Sequence, residues 1–465
     1  MLTFGTDGVR GEFGKELTES YAANLAEVAV QVMQCKVVVI GRDTRESGIL
    51  LETAIATALT ANGVEVQLMG VAPTPAIAFA ARQHGVVAIA ITASHNLFQD
   101  NGIKIFGAGG RKLSDVEQES IERGIMARNE NATDSAARGS LPARGAGHEA
   151  NLAVGGEKSG VARPELLQEY CDWLVGSVRP DALKNLHVAL DCANGAFSKV
   201  APEVFSKLGA TVTTMNATPD GKNINLQCGA THPAPLCEVV KNVGAHFGVA
   251  FDGDGDRLIA VDGNAQIVDG DHLLAISALD MKRRGTLRNN KVVVTVMTNI
   301  GFHQAMKNAN IEVITTPVGD RSVLLALDDE SLSLGGEQSG HIIYRDLATT
   351  GDGLLAAVTL GALIADSKKS LGEIASHAMT SFPQVLINVR AVNRVDGVGQ
   401  LFKSEIAAAE ETLGENGRVL VRTSGTEPMV RVMVEAPQQE IAEKVAATLA
   451  EAITTRLADS DAKVD

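Results

Sequence analysis

The feature that most constrains the fold is an alternation between short β-branched runs and longer stretches with helical periodicity. The helical stretches include Leu50–Ala61 and Ala201–Leu208. Apolar runs that alternate with helices are typical of βαβ units, so the pattern predicts an α/β fold with parallel strands. The predicted strands are Lys36–Ile40, Val86–Ile91, His187–Leu190, Phe247–Phe251 and Lys291–Val296.

The chain is also too long for a single domain. It has 465 residues, whereas one hydrophobic core stops growing at roughly 250–300 residues. Met126–Val161 is rich in Ala, Gly, Ser and Asn and lacks apolar periodicity, which predicts a linker or surface excursion. After a second boundary near Asp366–Leu371, an α+β module is predicted from strands at Val385–Val392, Arg418–Val421 and Met429–Glu435 and helices at Gly399–Thr412 and Gln439–Ala458.

Charge and cysteine content limit the classes of partner. Lys and Arg number 41 against 56 Asp and Glu, a net charge of −15, which argues against nucleic acid because phosphate backbones need clustered cations. A small anionic substrate then requires locally concentrated positive charge. Five scattered cysteines without a C-x-x-C pair indicate reduced thiols. No signal pattern and no apolar run of ~18 residues is present, so a cytoplasmic protein without membrane contact is expected.

A serine cluster follows the run Val86–Ile91, at Thr92-Ala93-Ser94-His95-Asn96. A serine on a tight turn at a strand end can be a nucleophile, and it can equally be an N-cap for the next segment. The glycines of a G-x-S-x-G elbow are missing, which argues against a hydrolase of that type. His95 is adjacent in sequence and therefore poorly placed to be the base for Ser94.

Three carboxylates separated by glycines follow the predicted strand Phe247–Phe251, in Asp252-Gly253-Asp254-Gly255-Asp256-Arg257. Like charges this close repel unless a cation lies among them. Oxygen ligands suit magnesium or calcium, and three of them leave room for a phosphate oxygen on the ion. The stretch is not an EF-hand loop, because Arg257 and Gly263 stand where that motif requires Gly and Glu. The alternative is a solvated acidic turn.

Two further clusters suit a phosphosugar. Gly335–His341 offers Glu337 and Ser339 between glycines, suited to sugar hydroxyls, although a flexible polar turn has the same composition. Arg422–Pro428, with Arg431 beyond, combines hydroxyls, glycine and guanidinium groups as in an anion-binding nest. A plain hairpin turn is the alternative there.

Two basic residues complete this set. Arg10 lies in the glycine-spaced N-terminal stretch Phe4–Gly11, and Lys104 follows Ser94 by ten positions. A polar loop and a surface lysine are the default interpretations of these two. Together with the clusters above, they form the set of groups that phosphoryl transfer uses.

In this order and spacing, T-A-S-H-N, D-G-D-G-D-R, G-E-Q-S-G-H and R-T-S-G-T-E-P resemble the motifs of the α-D-phosphohexomutase superfamily. The N-terminal F-G-T-D-G-V-R-G is similar to that of one bacterial branch, which acts on glucosamine phosphates. The resemblance covers nearly the whole chain. It implies three α/β domains with mixed sheets and a C-terminal α+β domain around a central cleft, at residues 1–150, 162–256, 257–367 and 375–458.

The resemblance also implies residue roles. Ser94 matches the family's phosphoserine, and a phosphate oxygen on it completes a magnesium site formed by Asp252, Asp254 and Asp256. Glu337 and Ser339 match the sugar-hydroxyl loop. The loop for the non-reacting phosphate matches Arg422, Ser424, Gly425 and Thr426. Charge stabilisation and proton transfer are assigned to Arg10 and Lys104, and the further candidates are His95 for catalysis and Thr6, Arg257 and Arg431 for substrate binding.

The implied activity is that of an isomerase-class intramolecular phosphotransferase. It interconverts glucosamine 6-phosphate and glucosamine 1-phosphate through a 1,6-bisphosphate, towards UDP-N-acetylglucosamine and cell-wall synthesis. One magnesium ion per chain, a sugar bisphosphate primer and a homodimer are expected. The nearest alternative is a phosphoglucomutase/phosphomannomutase. More distant ones are a metal-dependent sugar phosphatase and a non-catalytic sugar-phosphate binding protein.

Overall fold

The structure is a computed structural model that describes residues 2–5, 7–137, 160–391, 395, 397–423 and 428–461. It has two compact units, Met1–Val296 with Ile314–Ala375 and Met297–Val313 with Ser376–Asp465. Helices accompany mixed sheets in the order of an α/β protein, which confirms the predicted fold class. The predicted domain bounds themselves stay predictions. None of the helices in the described ranges combines the length and apolar character needed to cross a membrane.

The first sheet has seven strands in the order β1-β5-β4-β2-β3-β7, with β6 on β5. Its central strand β4 is buried along its whole length, as expected for a strand covered by helices on both faces. The strands are β1 (Val9–Glu12), β2 (Val37–Arg42), β3 (Glu65–Val71), β4 (Val87–Ile91), β5 (Asp100–Gly107), β6 (Arg111–Lys112) and β7 (Val161–Ala162). The helices are α1 (Glu19–Met33), α2 (Glu46–Ala61), α3 (Thr74–His84) and α4 (Asp115–Ala137).

The second sheet has five strands in the order β12-β11-β10-β8-β9. β8, β9 and β10 are parallel, and β11 turns back antiparallel to β10. The helices are α5 (Glu165–Gly176), α6 (Phe197–Lys207) and α7 (Ala234–Val243). The strands are β8 (His187–Asp191), β9 (Thr211–Met215), β10 (Phe247–Phe251), β11 (Leu258–Asp262) and β12 (Ile267–Val268).

The third sheet has four strands in the order β14-β13-β15-β16. The helices of this part of the chain are α8 (Gly270–Arg284), α9 (Ile300–Asn308), α10 (Asp320–Asp329), α11 (Gly353–Ser367) and α12 (Leu371–Ala378). The strands are β13 (Lys291–Thr295), β14 (Glu312–Thr316), β15 (Leu334–Gly336) and β16 (Ile342–Tyr344).

The C-terminal part is an antiparallel three-stranded sheet, β17-β19-β18, whose apolar face packs against a long helix. Val430, Val432 and Val434 of the central strand are buried and alternate with residues of the other face. The elements are β17 (Gln384–Arg390), α13 (Val398–Leu401), α14 (Lys403–Leu413), β18 (Arg418–Thr423), β19 (Met429–Glu435) and α15 (Gln439–Asp461).

Two expectations need correction. Residues 126–137 continue helix α4 and Val161 begins strand β7, so the linker prediction is wrong for both; residues 138–159 lie outside the described ranges. Ala, Glu, Arg and Met are good helix formers, but with so few apolar residues a helix here shows no apolar periodicity. The second correction concerns only the parallel strands predicted from the alternation of runs: β5 runs antiparallel to β4, and the sheets are mixed, as the resemblance to the family implied.

Candidate active site

The site lies where strands of the first unit end. Ser94 follows β4 and Asp252 follows β10 directly, and the carboxyl ends of strands are where α/β sheets place their binding sites. A cavity of about 420 Å³ opens here. Residues from all three sheet regions line it, among them Arg10, His95, Asp256, Arg257, Asp320, Glu337 and His341.

Ser94 is held in an uncommon backbone conformation. It is 1% exposed, and its φ of +54° lies in the left-handed region, which side chains other than glycine and asparagine seldom adopt. Its amide donates to Thr92 Oγ1 over 2.9 Å, and its hydroxyl donates to Asp252 Oδ2 over 2.8 Å. The serine therefore presents its oxygen to the first carboxylate of the acidic trio.

His95 lies closer to Ser94 than its sequence position predicts. Its Nδ1 is 3.4 Å from Ser94 Oγ. The expectation of a poorly placed neighbour assumed that successive side chains diverge, and the left-handed turn at Ser94 removes that alternation. Burial and the charges of Arg257 and Arg10 lower the pKa of His95 to about 4.

The three aspartates form a buried oxygen cluster. Asp252, Asp254 and Asp256 each offer a carboxylate oxygen, and these atoms all lie within 4.8 Å of one another. Within the described ranges, Asp254 Oδ1 and Asp256 Oδ1 have no hydrogen-bond donor. Burial and the carboxylates of Asp256 and Asp254 raise the pKa of Asp252 well above its usual range. Carboxylate oxygens without a donor, and a carboxyl group whose pKa is raised by its neighbours, are what a hard divalent cation would satisfy, so the donor set fits such an ion.

Lys104 is not the surface lysine that its sequence context suggested. It is 2% exposed, and its ammonium donates to Asp254 over 2.8 Å and to Asp256 over 3.0 Å, and also pairs with Asp7. Burial lowers the pKa of Lys104, but the three carboxylates more than offset this and hold it well above the usual value. The side chain is thus a fixed positive charge beside the acidic trio.

A glycine allows the acidic loop to approach the serine loop. A Cβ built on Gly253 would lie 2.7 Å from Ser94 O and 2.7 Å from Asn225 Nδ2, closer than real carbon contacts come. Gly195, in the loop after β8, approaches Gly253 still more closely, since a Cβ built on it would be 2.3 Å from the Gly253 carbonyl oxygen. The backbones of the two loops therefore touch directly at this point.

The predicted sugar and charge residues of the first unit are divided between cavity and surface. Arg10 is half-exposed, and its Nη2 lies 3.6 Å from Asp7 Oδ2. Arg257 Nε is buried and has no acceptor in the described part of the chain. Glu337 Oε1 accepts the amide of Gly319 over 3.1 Å. Ser339 is exposed on the same loop as Glu337. Arg10, Arg257 and Glu337 line the cavity together.

The second unit contains the predicted phosphate residues Arg422 and Arg431. The two face each other directly across the β18–β19 pair, where like charges are unfavourable. Burial and the charge of Arg431 lower the pKa of Arg422. Arg431 Nε is buried and has no acceptor within the described residues. Of the other predicted residues, Thr6, Ser424, Gly425 and Thr426 lie outside those residues.

Sequence reasoning missed several residues of the site. Asp7 pairs with Lys104 and Lys112, although it lay within the quoted N-terminal stretch. Arg45 follows β2 in a polar cluster of the same kind as the others, a signal that was present but not used. Thr74 donates to Asp254 Oδ2 over 2.7 Å, and no sequence pattern marked it.

Comparisons with known proteins agree with this geometry. The four domains described for phosphoglucomutase/phosphomannomutase match in order: alpha/beta/alpha domain I at residues 1–132, domain II at 168–266, domain III at 269–382 and the C-terminal domain at 386–452. A phosphoglucosamine mutase from Frankia alni is 45% identical over 470 residues, which cover 98% of each chain.

Solved structures share the fold. A phosphoglucomutase/phosphomannomutase family protein from Burkholderia thailandensis has a TM-score of 0.77 at 23% identity over 97% of both chains. The N-acetylphosphoglucosamine mutase of Aspergillus fumigatus, in complex with GlcNAc-6P and magnesium, has a TM-score of 0.65 at 17% identity, covering 98% of this chain and 96% of its own. The chain therefore belongs to the phosphoglucomutase/phosphomannomutase family of phosphohexose mutases, within its phosphoglucosamine mutase branch.

Proposed function

We propose that the protein interconverts glucosamine 6-phosphate and glucosamine 1-phosphate through a phosphate carried on Ser94. The observation that carries the proposal is the hydroxyl of Ser94, 2.8 Å from Asp252 Oδ2 in a cluster of three buried aspartates. The name shared by relatives at about 45% identity supports the amino sugar as substrate.

The reaction is written as two phosphoryl transfers. The sugar's 1-hydroxyl oxygen bonds to the phosphorus of phospho-Ser94, the bond from phosphorus to Ser94 Oγ breaks, and the hydroxyl proton is transferred, net, to Ser94 Oγ. His95 Nδ1, 3.4 Å from that oxygen, is within reach of this proton. The 1,6-bisphosphate then turns, Ser94 Oγ takes the 6-phosphoryl group by the same exchange, and the sugar 1-phosphate leaves.

Asp252, Asp254 and Asp256, with a phosphate oxygen on Ser94, would hold magnesium. When bound, the ion supplies charge neutralisation at the transferring phosphoryl group. Lys104, fixed by hydrogen bonds to Asp254 and Asp256, maintains positive charge at the same place. Arg257 and Arg10 line the cavity and add guanidinium donors for phosphate oxygens.

Binding of the non-transferring groups is divided between two loops. Glu337 and Ser339 are proposed to accept and donate hydrogen bonds to the sugar hydroxyls. In the second unit, the opposed guanidiniums of Arg422 and Arg431 are proposed to bind the non-reacting phosphate, together with Ser424, Gly425 and Thr426. A phosphate dianion would relieve the repulsion between the two arginines.

The test is a mutase assay with magnesium, a trace of sugar 1,6-bisphosphate, and glucosamine, glucose and mannose 6-phosphates side by side. The highest kcat/KM is expected for glucosamine 6-phosphate. Ser94→Ala is expected to abolish turnover, whereas Ser120→Ala, on helix α4, keeps it. Full turnover by Ser94→Ala contradicts the serine assignment, and release of free phosphate without a bisphosphate requirement favours the sugar phosphatase. The protein is further proposed to be a cytoplasmic homodimer, which light scattering checks for assembly.

A further inference from the structure

A buried guanidinium holds the Ser94 loop, defined as residues 92–100, from the end of β4 to the first residue of β5. Arg45 is 0% exposed, and all five of its N–H groups have acceptors. Nε donates to Asp43 Oδ2 over 2.9 Å. Nη2 donates to the carbonyls of Ser94 at 3.1 Å and Asn96 at 2.8 Å. Nη1 donates to the carbonyls of Asp100, at 3.0 Å, and Leu97.

The same carbonyls are held from the second sheet region. Asn225 Nδ2 donates to Ser94 O over 2.8 Å and to Asn96 O over 2.9 Å. Asp43 completes the arrangement, because its Oδ2 also accepts the hydroxyl of Thr92, which in turn accepts the amide of Ser94. The peptide groups on both sides of Ser94 are therefore fixed by side chains rather than by strand pairing.

This arrangement explains how Ser94 retains a strained backbone. A non-glycine residue in the left-handed region costs about 1–2 kcal/mol, and such a residue persists only where its surroundings determine its conformation. Carbonyls turned inward need donors, and a planar fork with five donors supplies four of them at once. A lysine has three donors and no fork, so it cannot reproduce the set.

We propose that Arg45 is a positioning residue for phosphoryl transfer. By donating hydrogen bonds to four carbonyls of the Ser94 loop, it orients the phosphoserine towards the acidic trio and the substrate. This inference rests on the proposed function, and it concerns the chemical step. The groups proposed to bind the sugar phosphate do not include Arg45. Loss of the Arg45 hydrogen bonds is therefore expected to misplace the transferred phosphoryl group without weakening substrate binding.

The experiment compares Arg45→Lys with Arg42→Lys, a control on the neighbouring strand whose side chain donates to Glu52. Misplacement by about 1 Å costs about 100-fold. Arg45→Lys is therefore expected to lower kcat about 100-fold while KM for the sugar phosphate stays within about twofold. Arg42→Lys is expected to keep both values. The fraction of phosphorylated Ser94, measured by mass spectrometry, normalises kcat to loaded enzyme.

Hydrogen exchange of the 92–100 peptide supplies a measurement that needs no activity. Faster exchange confined to this peptide in Arg45→Lys, with an unchanged melting temperature, supports the proposal. Wild-type kcat, or a proportional rise in KM, overturns the positioning role while leaving the mutase activity standing. A wild-type enzyme without turnover refutes the proposed function instead, and the exchange result then decides whether Arg45 holds the loop.

Should Arg45→Lys fail to fold, a second variant tests the same proposal. Asn225→Ala removes two hydrogen bonds to the same carbonyls and is expected to lower kcat about tenfold at constant KM. An unchanged kcat overturns the proposal.

Discussion

At the scale of single residues, the first unit concentrates negative charge that its own side chains only partly neutralise. Lys104 compensates Asp254 and Asp256 on one side, whereas Oδ1 of each has no donor in the described ranges. The raised pKa of Asp252 has the same origin, in burial and neighbouring carboxylates. A divalent cation supplies what the chain lacks at this point.

Asp254→Asn removes one full charge from this donor set. The half-saturating magnesium concentration of the mutase reaction is expected to rise at least about tenfold, because metal sites lose that much even when supporting partners are removed. The matched control is Glu203→Gln, since Glu203 forms an exposed ion pair with Lys207 on helix α6. This variant is expected to keep the wild-type value. An unchanged magnesium titration for Asp254→Asn rules out the trio as the metal site.

Arg431→Gln tests the opposed guanidiniums of the second unit. Removing one of two like charges across a strand pair is expected to stabilise the ligand-free protein by about 0.2–1 kcal/mol. KM for the phosphosugar is expected to rise about 10- to 100-fold, since a hydrogen bond to a charged group contributes about 1.5–3 kcal/mol. Urea unfolding and steady-state kinetics measure the two effects. The control is Arg456→Gln, since Arg456 lies on α15 and pairs with Glu405 of α14. If Arg431→Gln is destabilised and has a normal KM, the role of Arg431 is structural.

At the scale of elements, helix α11 begins at a buried acid. Asp352 is 2% exposed, and its Oδ1 accepts the amides of Leu354 over 3.1 Å and Leu355 over 2.9 Å. Tyr170 of α5 donates its hydroxyl to the same carboxyl over 2.9 Å. Burial raises the pKa of Asp352 to about 6 despite these donors. The N-cap therefore titrates within the range of ordinary buffers.

The sign of the resulting pH dependence follows from linkage. Because the pKa of Asp352 is higher in the folded than in the unfolded chain, its contribution to stability is fully present below about pH 4 and is lost as pH rises through about 6. The difference in unfolding free energy between wild type and Asp352→Asn is expected to fall by about 2.5 kcal/mol from pH 4 to pH 7.

The single tryptophan makes this measurable locally. Trp173 lies on α5 with its ring 6.0 Å from that of Tyr170, so its fluorescence follows urea unfolding of this region. The amide of Asn keeps the cap and does not titrate, which makes Asp352→Asn its own control for other carboxyl groups. A difference that stays constant with pH contradicts the raised pKa.

Elements with strong local patterns were predictable and others were not. Phe247–Phe251 was predicted to the residue, because a buried strand leaves an uninterrupted apolar run. Helix α4 was missed over residues 126–137 since its sequence has no apolar face to read. The contacts of Ser94 with Asp252 and with Arg45 join positions far apart in the chain, and only the resemblance to a family, not the residues themselves, predicted the first of them.

At the scale of the whole molecule, a net charge of −15 coexists with a proposed dianionic substrate. Metal binding links this charge to stability, because an ion that binds only the folded state stabilises it by about 2.7 kcal/mol at 100 times its Kd. Saturating magnesium is therefore expected to raise the melting temperature of wild type and EDTA to lower it again, whereas Asp254→Asn is expected to show at most about half of the wild-type shift. Calorimetry measures the shift.

Sodium chloride at matched ionic strength is the control for that experiment. It screens exposed charges without occupying the acidic trio, so it is expected to produce a much smaller shift than magnesium. Equal shifts from the two salts mean that general screening, and not a specific site, accounts for the stabilisation.

Gly253 and Gly255 give the acidic motif a second meaning. A Cβ on Gly253 would collide with the Ser94 carbonyl, and one on Gly255 would lie 2.3 Å from the Phe197 ring. The two glycines are therefore explained by the close approach of neighbouring segments, and not by metal coordination. In this chain even an alanine at 253 would push apart two loops that meet backbone to backbone, and the φ of +78° at Gly255 favours glycine there as well. Part of the sequence motif that suggests a metal site, namely Gly253, is therefore explained by the close approach of the Ser94 loop.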